Sequence, residues 1–436
     1  MKRLLAAALA AGSMLCQVPT AQAVGTSASS AVLMEAESGR VLYEQNAHEE
    51  RLIASITKLM TALVALESGH DLEETVTVGE ACTRAEGSSL YLRPGEEISL
   101  KGLLYGVMLR SGNDAALAVA EHCGGSVEEF VGRMNEKAAQ LGMVNSHFAN
   151  PNGLNAEGHY SSAYDMALLA RACLENEALA EIAATKSATV DGRVLTNHNK
   201  LLWQYEGCIG LKTGYTEKAG RTLVSAARRG GMTLIAVTLN DPDDWRDHTA
   251  LLDYGFSTYA PVTLTEEGKA VARRPVSGSL VPFVEIQAAE TVRIPVCEED
   301  KIDWELQWDQ EALEAPLRAG GSAGRMVCRV NGEEAACVPL VFAQDVDRAS
   351  WWDLDSAYGA LEEIKKERGE SAWRSACKSC CQPAGWPPAE WWSSGSRRGG
   401  SPSMGRRHGW GTRRTWTGTA SRWMAGRSGP AETGCI

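Results

Sequence analysis

Three short stretches of this chain carry side chains that could do chemistry together. The first is Ser55-Ile56-Thr57-Lys58. A serine hydroxyl is a poor nucleophile at neutral pH, and a lysine can act as its base if burial or a neighbouring cation lowers the amine's pKa. Ile56, Leu59, Met60, Leu63, Val64 and Leu66 recur at helical spacing, so Ser55 and Lys58 should share one side of a first helical turn. The free N–H groups at such a helix start suit a developing oxyanion. The pattern alone is weak, because Ser375-Ala376-Cys377-Lys378 repeats it in a region with no enzyme-like character. An N-cap serine beside a solvated lysine is the plain alternative. The second stretch, Arg110-Ser111-Gly112-Asn113, is a polar turn between two apolar helices. It puts Ser111 and Asn113 on one side of a tight bend, where each could face a cleft or simply cap a helix. The third is Gly210-Leu211-Lys212-Thr213-Gly214-Tyr215, just before two apolar runs.

The elements that must position these groups read as alternating strands and helices. Ala31–Glu35 and Arg40–Tyr43 are expected strands joined at Glu37-Ser38-Gly39, followed by the Ser55 helix and a strand at Thr75–Val78. Helices are expected over Leu100–Leu109, Asp114–His122, Val127–Leu141 and Ala163–Cys173. Thr222–Ala227 and Met232–Leu239 form a hairpin through Arg228-Arg229-Gly230-Gly231. Consecutive strands are linked by turns rather than by helices. The fold class is therefore α/β of the α+β type, an antiparallel sheet flanked by helices, followed by a small all-β domain. That second domain begins near Tyr259-Ala260-Pro261 and runs to about Phe342. Ile302–Asp309 alternates without a break there, and Met326–Val330 pairs with Ala335–Val341 across Asn331-Gly332.

The expected layout is 1–23 signal peptide, 24–260 catalytic domain, 261–345 β domain, 346–370 helix or linker, and 371–436 basic tail. Lys2 and Arg3, the apolar run Leu4–Leu15 and Ala21-Gln22-Ala23 make up the secretory leader. The tail is rich in Trp, Arg and Gly without periodicity, a composition that reads as disordered and resembles translation out of frame. The chain's 436 residues carry a net charge of −12. The tail holds about ten Arg and Lys, so the remainder is near −20. That balance excludes a general nucleic-acid binder. The 12 cysteines form neither a disulfide framework nor a zinc pattern, so no metal and no cofactor is expected. Cys328 and Cys337 flank Asn331-Gly332 and could face each other across the hairpin.

In combination the three motifs are specific. Their order and spacing match the triple used by penicillin-binding proteins and class A β-lactamases. From about Ala31 to Phe342 the chain resembles the low-molecular-mass penicillin-binding proteins, the serine D-alanyl-D-alanine carboxypeptidases. Gly87-Ser88-Ser89, Asn150–Leu154 and His159-Tyr160-Ser161 add to the likeness. The resemblance implies that Ser55 attacks the carbonyl between the terminal D-alanines of a peptidoglycan stem peptide and that Lys58 takes its proton. It implies further that Ser111, with Lys212, passes a proton to the leaving D-alanine, and that Asn113 orients the peptide and Lys58. The N–H groups of Ser55 and Tyr215 would form the oxyanion hole, next to Gly214. Thr213 and Arg246 would hold the free carboxylate. β-Lactams would acylate the same serine and inhibit the enzyme. The expected location is secreted, at the outer face of the cytoplasmic membrane or in the wall.

Two departures stand out. The family usually ends in an amphipathic membrane-binding helix, whose place the basic tail takes here, leaving membrane attachment open. It often has His where this chain has Asn152. The rival readings are a β-lactamase, disfavoured by Gly112 and by the lack of a Glu-x-x-Leu-Asn segment after Asn113, and a non-catalytic wall-binding or penicillin-sensing protein.

Overall fold

The computed structural model describes residues 24–350 together with 363, 366–369 and 371. The expected leader and nearly all of the tail, including Ser375 and Lys378, lie outside the described residues. The chain divides into two compact units, one running to Val262 and including Arg293–Glu299, the other made of Thr263–Val292 and the chain from Asp300 onward.

The first unit is built on a five-stranded sheet. Its strands are β1 (Ser30–Glu35), β2 (Val41–Gln45), β3 (Cys208–Thr216), β4 (Gly220–Arg229) and β5 (Met232–Leu239). They lie in the order β2-β1-β5-β4-β3, and every neighbouring pair is antiparallel. β1 is buried along its whole length because it is covered on both faces. Side chains alternate across a strand. Val32 and Met34 therefore join the core beneath the Ser55 segment, while Leu33 joins a second core with Leu251 and Leu252 of the Asp244–Thr258 helix.

The first core is mostly helical. The Lys58–Leu66 helix buries every residue from Lys58 to Ala65, as a helix running through the middle of a core must. Around it stand the helices Leu100–Tyr105, Asn113–Gly124, Val127–Gln140, Ala163–Glu175 and Glu177–Ala184. Helix caps match residue chemistry: Ser99, Ser126, Ser162 and Asn176 each accept a backbone N–H from the first turn that follows. The expected Leu100–Leu109 helix departs from regularity, since its second half, Gly106–Arg110, widens into a π turn that ends at Ser111.

The second unit is all-β through residue 350. Six strands, including Ile302–Trp308, Ser322–Val330 and Glu333–Phe342, enclose a core of Val276, Val284, Ile286, Val338 and Leu340. A bulge follows Cys328, so Cys328 stands opposite Ala336 and Cys337 opposite Val327. A one-residue offset sends the two sulfur atoms to opposite faces of the sheet, so Cys328 and Cys337 do not face each other across the hairpin.

Candidate active site

Ser55 does not begin an α-helix. It lies in a short 3-10 turn, Ala54–Thr57, and the α-helix starts at Lys58. The turn is entered through Ala54 at φ +48°, a left-handed conformation that a residue with a Cβ adopts only when its surroundings enforce it. Those surroundings are visible. Thr57 Oγ1 donates to the Ala54 carbonyl at 2.8 Å. Thr57 Oγ1 also lies 2.8 Å from His159 Nε2. The Ala149 N–H donates to His159 Nδ1 at 3.0 Å, which leaves Nε2 to carry the proton toward Thr57. Burial, first of all, pushes His159 down to about 4, so the ring stays neutral in this chain of donors. On the other side, Gly153 stands at φ +84°, where a Cβ would come within 2.0 Å of the Ala54 carbonyl oxygen.

Lys58 is completely buried, with its amine reaching three oxygens. Nζ lies 3.0 Å from Ser55 Oγ, 2.7 Å from Asn113 Oδ1 and 2.5 Å from the Asn152 carbonyl. Burial holds its pKa well below the ordinary lysine range; the nearby Lys212 charge works in the same direction and Asp114 against it. Asn113 is fixed in turn by donating Nδ2 to the Glu86 carbonyl at 2.5 Å, while its backbone N–H donates to the Ser88 carbonyl at 2.7 Å.

Ser111 ends the π turn at φ +61°, buried beside Asn113. Asp114 anchors the loop opposite, its carboxylate accepting from Ser89 Oγ at 2.6 Å, the Leu90 N–H at 3.0 Å and the Leu92 N–H at 3.1 Å. Lys212 lies on β3, the edge strand of the sheet, and is buried, donating Nζ to the Thr213 carbonyl at 2.8 Å. Burial brings its pKa down to about 7. Gly214 on the same strand presses against the Ser55 turn, since a Cβ there would come within 2.9 Å of the Ser55 nitrogen. Only glycine permits that approach.

These groups border a cleft of about 310 Å³ lined by Ser55, Ser88, Ser111, Thr213, Gly214 and Tyr215, with His198, Lys200, Arg221, Asp244 and Trp245 at its far end. Burial and the charges of Lys212 and Arg110 push His198 down to about 4. Tyr215 is 64 % exposed at the rim. Arg246 is not brought into the lining; its side chain is 82 % exposed and pairs with Asp243 at 3.6 Å. Arg221 is the guanidinium inside, paired to Asp244 at 2.7 Å and lying 5.6 Å from the centre of the Trp245 ring. Sequence reasoning missed the Glu86 and Asn152 carbonyls, which have no side-chain signature. It also missed Asp114, for which the only signal was a carboxylate next to Asn113.

Comparison with known proteins identifies the family. Residues 17–243 match the D-alanyl-D-alanine carboxypeptidase family, and residues 259–348 match the penicillin-binding protein 5 C-terminal domain. The D-alanyl-D-alanine carboxypeptidase DacF of Bacillus subtilis is 36% identical over 374 residues, covering 80% of this chain and 96% of the relative. DacA of Escherichia coli is 33% identical over 344 residues, covering 74% and 85%. A crystal structure of penicillin binding protein 5 from Haemophilus influenzae aligns at a TM-score of 0.67 and 30% identity, over 75% of this chain and 99% of that one. With a family model matched over more than half of its length and relatives at 33–36% identity over most of it, the chain belongs to the D-alanyl-D-alanine carboxypeptidase family and is a serine-type D-Ala-D-Ala carboxypeptidase.

Proposed function

We propose that Ser55 is the acylated residue, with Lys58 as its general base, and that the substrate is a peptidoglycan stem peptide ending in D-Ala-D-Ala. One observation carries this reading, the accounting of hydrogens at Lys58. A neutral amine has two N–H groups and one lone pair. Asn113 Oδ1 and the Asn152 carbonyl take the two N–H groups, and the remaining direction, 3.0 Å long, points at Ser55 Oγ. The lone pair can then accept the serine proton as Oγ attacks the carbonyl between the terminal residues.

The peptide enters along β3, whose outer edge has no neighbouring strand in the sheet. Its reacting carbonyl sits between the N–H groups of Ser55 and Tyr215, a proposed oxyanion hole supported by the close fit of Gly214 against Ser55. Ser111 relays a proton to the departing amine. Lys212, poised near neutrality, supplies positive potential on that side. Thr213 binds the terminal carboxylate. Arg246 joins it by swinging in from the rim, where a single 3.6 Å pairing holds it loosely. Arg221 is already engaged by Asp244 and forms the wall. Water then frees the acyl group, and β-lactams are trapped on the same serine.

In this reading residues 24–260 are the catalytic domain and 261–345 the trailing β domain. The leader-like composition of residues 1–23 supports a mature enzyme that works outside the cytoplasmic membrane. No helix among the described residues is long and apolar enough to cross a membrane.

The test is the intact mass of the protein after mixing with benzylpenicillin, followed by peptide mapping of the adduct. One drug molecule on the peptide holding Ser55, absent in Ser55→Ala, is expected, together with D-alanine release from a stem-peptide analogue. An adduct that survives in Ser55→Ala would overturn the assignment, and rapid drug turnover without an adduct would mark a β-lactamase.

A further inference from the structure

We propose that His70, Glu74 and His122 form a divalent-metal site of the zinc type, which clips together the far ends of the two helices that carry the catalytic groups. The three residues are 52 positions apart at their widest and have no motif spacing, yet their ligand atoms all lie within 4.8 Å of one another. His70 Nδ1 is 2.9 Å from Glu74 Oε2, and His122 Nε2 is 3.6 Å from the same oxygen. A tetrahedral zinc with bonds of about 2.0–2.1 Å sets its ligands about 3.3 Å apart, and these two separations bracket that value. The imidazole rings stand 4.7 Å apart at a tilt of 47°, and one oxygen of the Glu74 carboxylate approaches a nitrogen of each. His122 Nε2 is buried and makes no hydrogen bond, so a ring nitrogen is directed at a carboxylate without a bond to satisfy it. A metal ion would satisfy it.

The chemistry of the set selects the metal. Two imidazoles and a carboxylate suit zinc, whereas magnesium and calcium prefer an all-oxygen shell. Side-chain exposures of 33%, 41% and 20% leave one flank open to water, which can complete the coordination.

The place of the cluster defines its role. His70 follows the Lys58–Leu66 helix by way of Gly69 at φ +83°. Glu74 is fixed by its own backbone, whose carbonyl accepts from the Leu100 N–H at 2.9 Å. His122 occupies the last turn of the Asn113–Gly124 helix. The first of these helices begins with Lys58 and the second with Asn113, the residues that meet at 2.7 Å in the cleft. Helices of nine and twelve residues are about 14 and 18 Å long. The metal therefore stands about 15 Å from Ser55 and takes no part in the reaction; it braces the helix pair from behind.

The experiment uses the full mature chain, freed of metal with a chelator and dialysed. Zinc chloride is titrated calorimetrically and the melting temperature is followed in parallel, for the wild type, His70→Ala and His122→Ala. Because the chain contains cysteines, cobalt is added as a spectroscopic substitute. The expected result is one zinc per chain at the cluster, a melting temperature raised by about 5 °C at a hundredfold excess over Kd, and at least a tenfold loss of affinity in either variant. Cobalt should show visible bands without the thiolate charge-transfer absorption. Both variants should acylate with benzylpenicillin at the wild-type rate, which establishes that they are folded. Absence of zinc binding in the wild type would overturn the proposal and reduce the cluster to a His–Glu ion pair. Binding that persists unchanged in both variants, or that shows thiolate absorption, would overturn it equally.

Discussion

Replacing Asn113 with aspartate tests the base assignment with almost no change of shape. The wild-type amide presents Oδ1 to Lys58 Nζ at 2.7 Å. A carboxylate in that position puts a full negative charge beside the amine. At 2.7 Å and an effective dielectric of about 20, unit charges attract by about 6 kcal/mol. The wild-type amide oxygen already stabilises the ammonium through its own hydrogen bond, so about half of this attraction is new. What remains, about 3 kcal/mol, raises the Lys58 pKa by about 2 units. The sign follows from the role: the base must be neutral, and a raised pKa keeps it protonated over a wider range of pH. The second-order rate of acylation by a chromogenic β-lactam, measured from pH 6 to 10, should therefore fall about a hundredfold near neutrality. Its rising limb should move about 2 units upward, so that much of the rate returns at high pH. Asn113→Ala removes the same contact without adding charge and should slow acylation with no such displacement. If the Asn113→Asp profile keeps its wild-type limb, then either Lys58 is not the base or the carboxyl is itself protonated, and the reasoning from charge fails.

Four further outcomes follow from the same geometry. Gly153→Ala forces a Cβ to within 2.0 Å of the Ala54 carbonyl at a positive φ, and should cost about 3 kcal/mol in denaturant unfolding while slowing acylation of the folded fraction. Asp114→Ala strips the acceptor from Ser89, Leu90 and Leu92 and should cost about 3 kcal/mol by the same measurement, with Asp114→Asn in between. Lys212 has a folded pKa of about 7, below its unfolded value, so above pH 7 the unfolded chain binds more protons and stability rises with pH. Unfolding midpoints should reflect a gain of about 2 kcal/mol between pH 7 and 9, which Lys212→Met should abolish. Arg246→Gln should raise KM for a D-Ala-D-Ala peptide about tenfold with kcat little changed, the signature of lost carboxylate binding; an unchanged KM would remove Arg246 from the site.

What was legible in the sequence were side-chain identities at fixed spacing. Ser55, Lys58, Ser111, Asn113 and Lys212 are read directly, and hairpin turns between apolar runs announce the antiparallel sheet. Groups that act through the backbone leave no such trace, and the Lys58 amine is aimed by the carbonyl of Asn152. The 3-10 turn at Ser55 and the π turn before Ser111 were invisible for a related reason, because apolar periodicity reports which face is buried and says little about local pitch. The Asp244–Thr258 helix hides its core face behind polar residues. Asp244, Asp247 and His248 are all buried there, His248 between Ser225 and Thr238 at 2.6 and 3.0 Å. Arg246 shows that a cation placed by sequence near a cleft need not have its side chain turned inward.

The pairing of β1 with β5 has a consequence for how this enzyme comes into being. Ala31 lies opposite Thr238, about two hundred residues further along the chain. The strand made first therefore has nothing to pair with on one side until nearly the whole catalytic region has been synthesised. Such long-range pairing makes folding slow, since the loop between must close before any contact rewards it. The sheet that backs Ser55 cannot close while its carboxyl-terminal strands are still missing. The topology itself thus acts as a timer that postpones assembly of the cleft until the last strands of the sheet are in place.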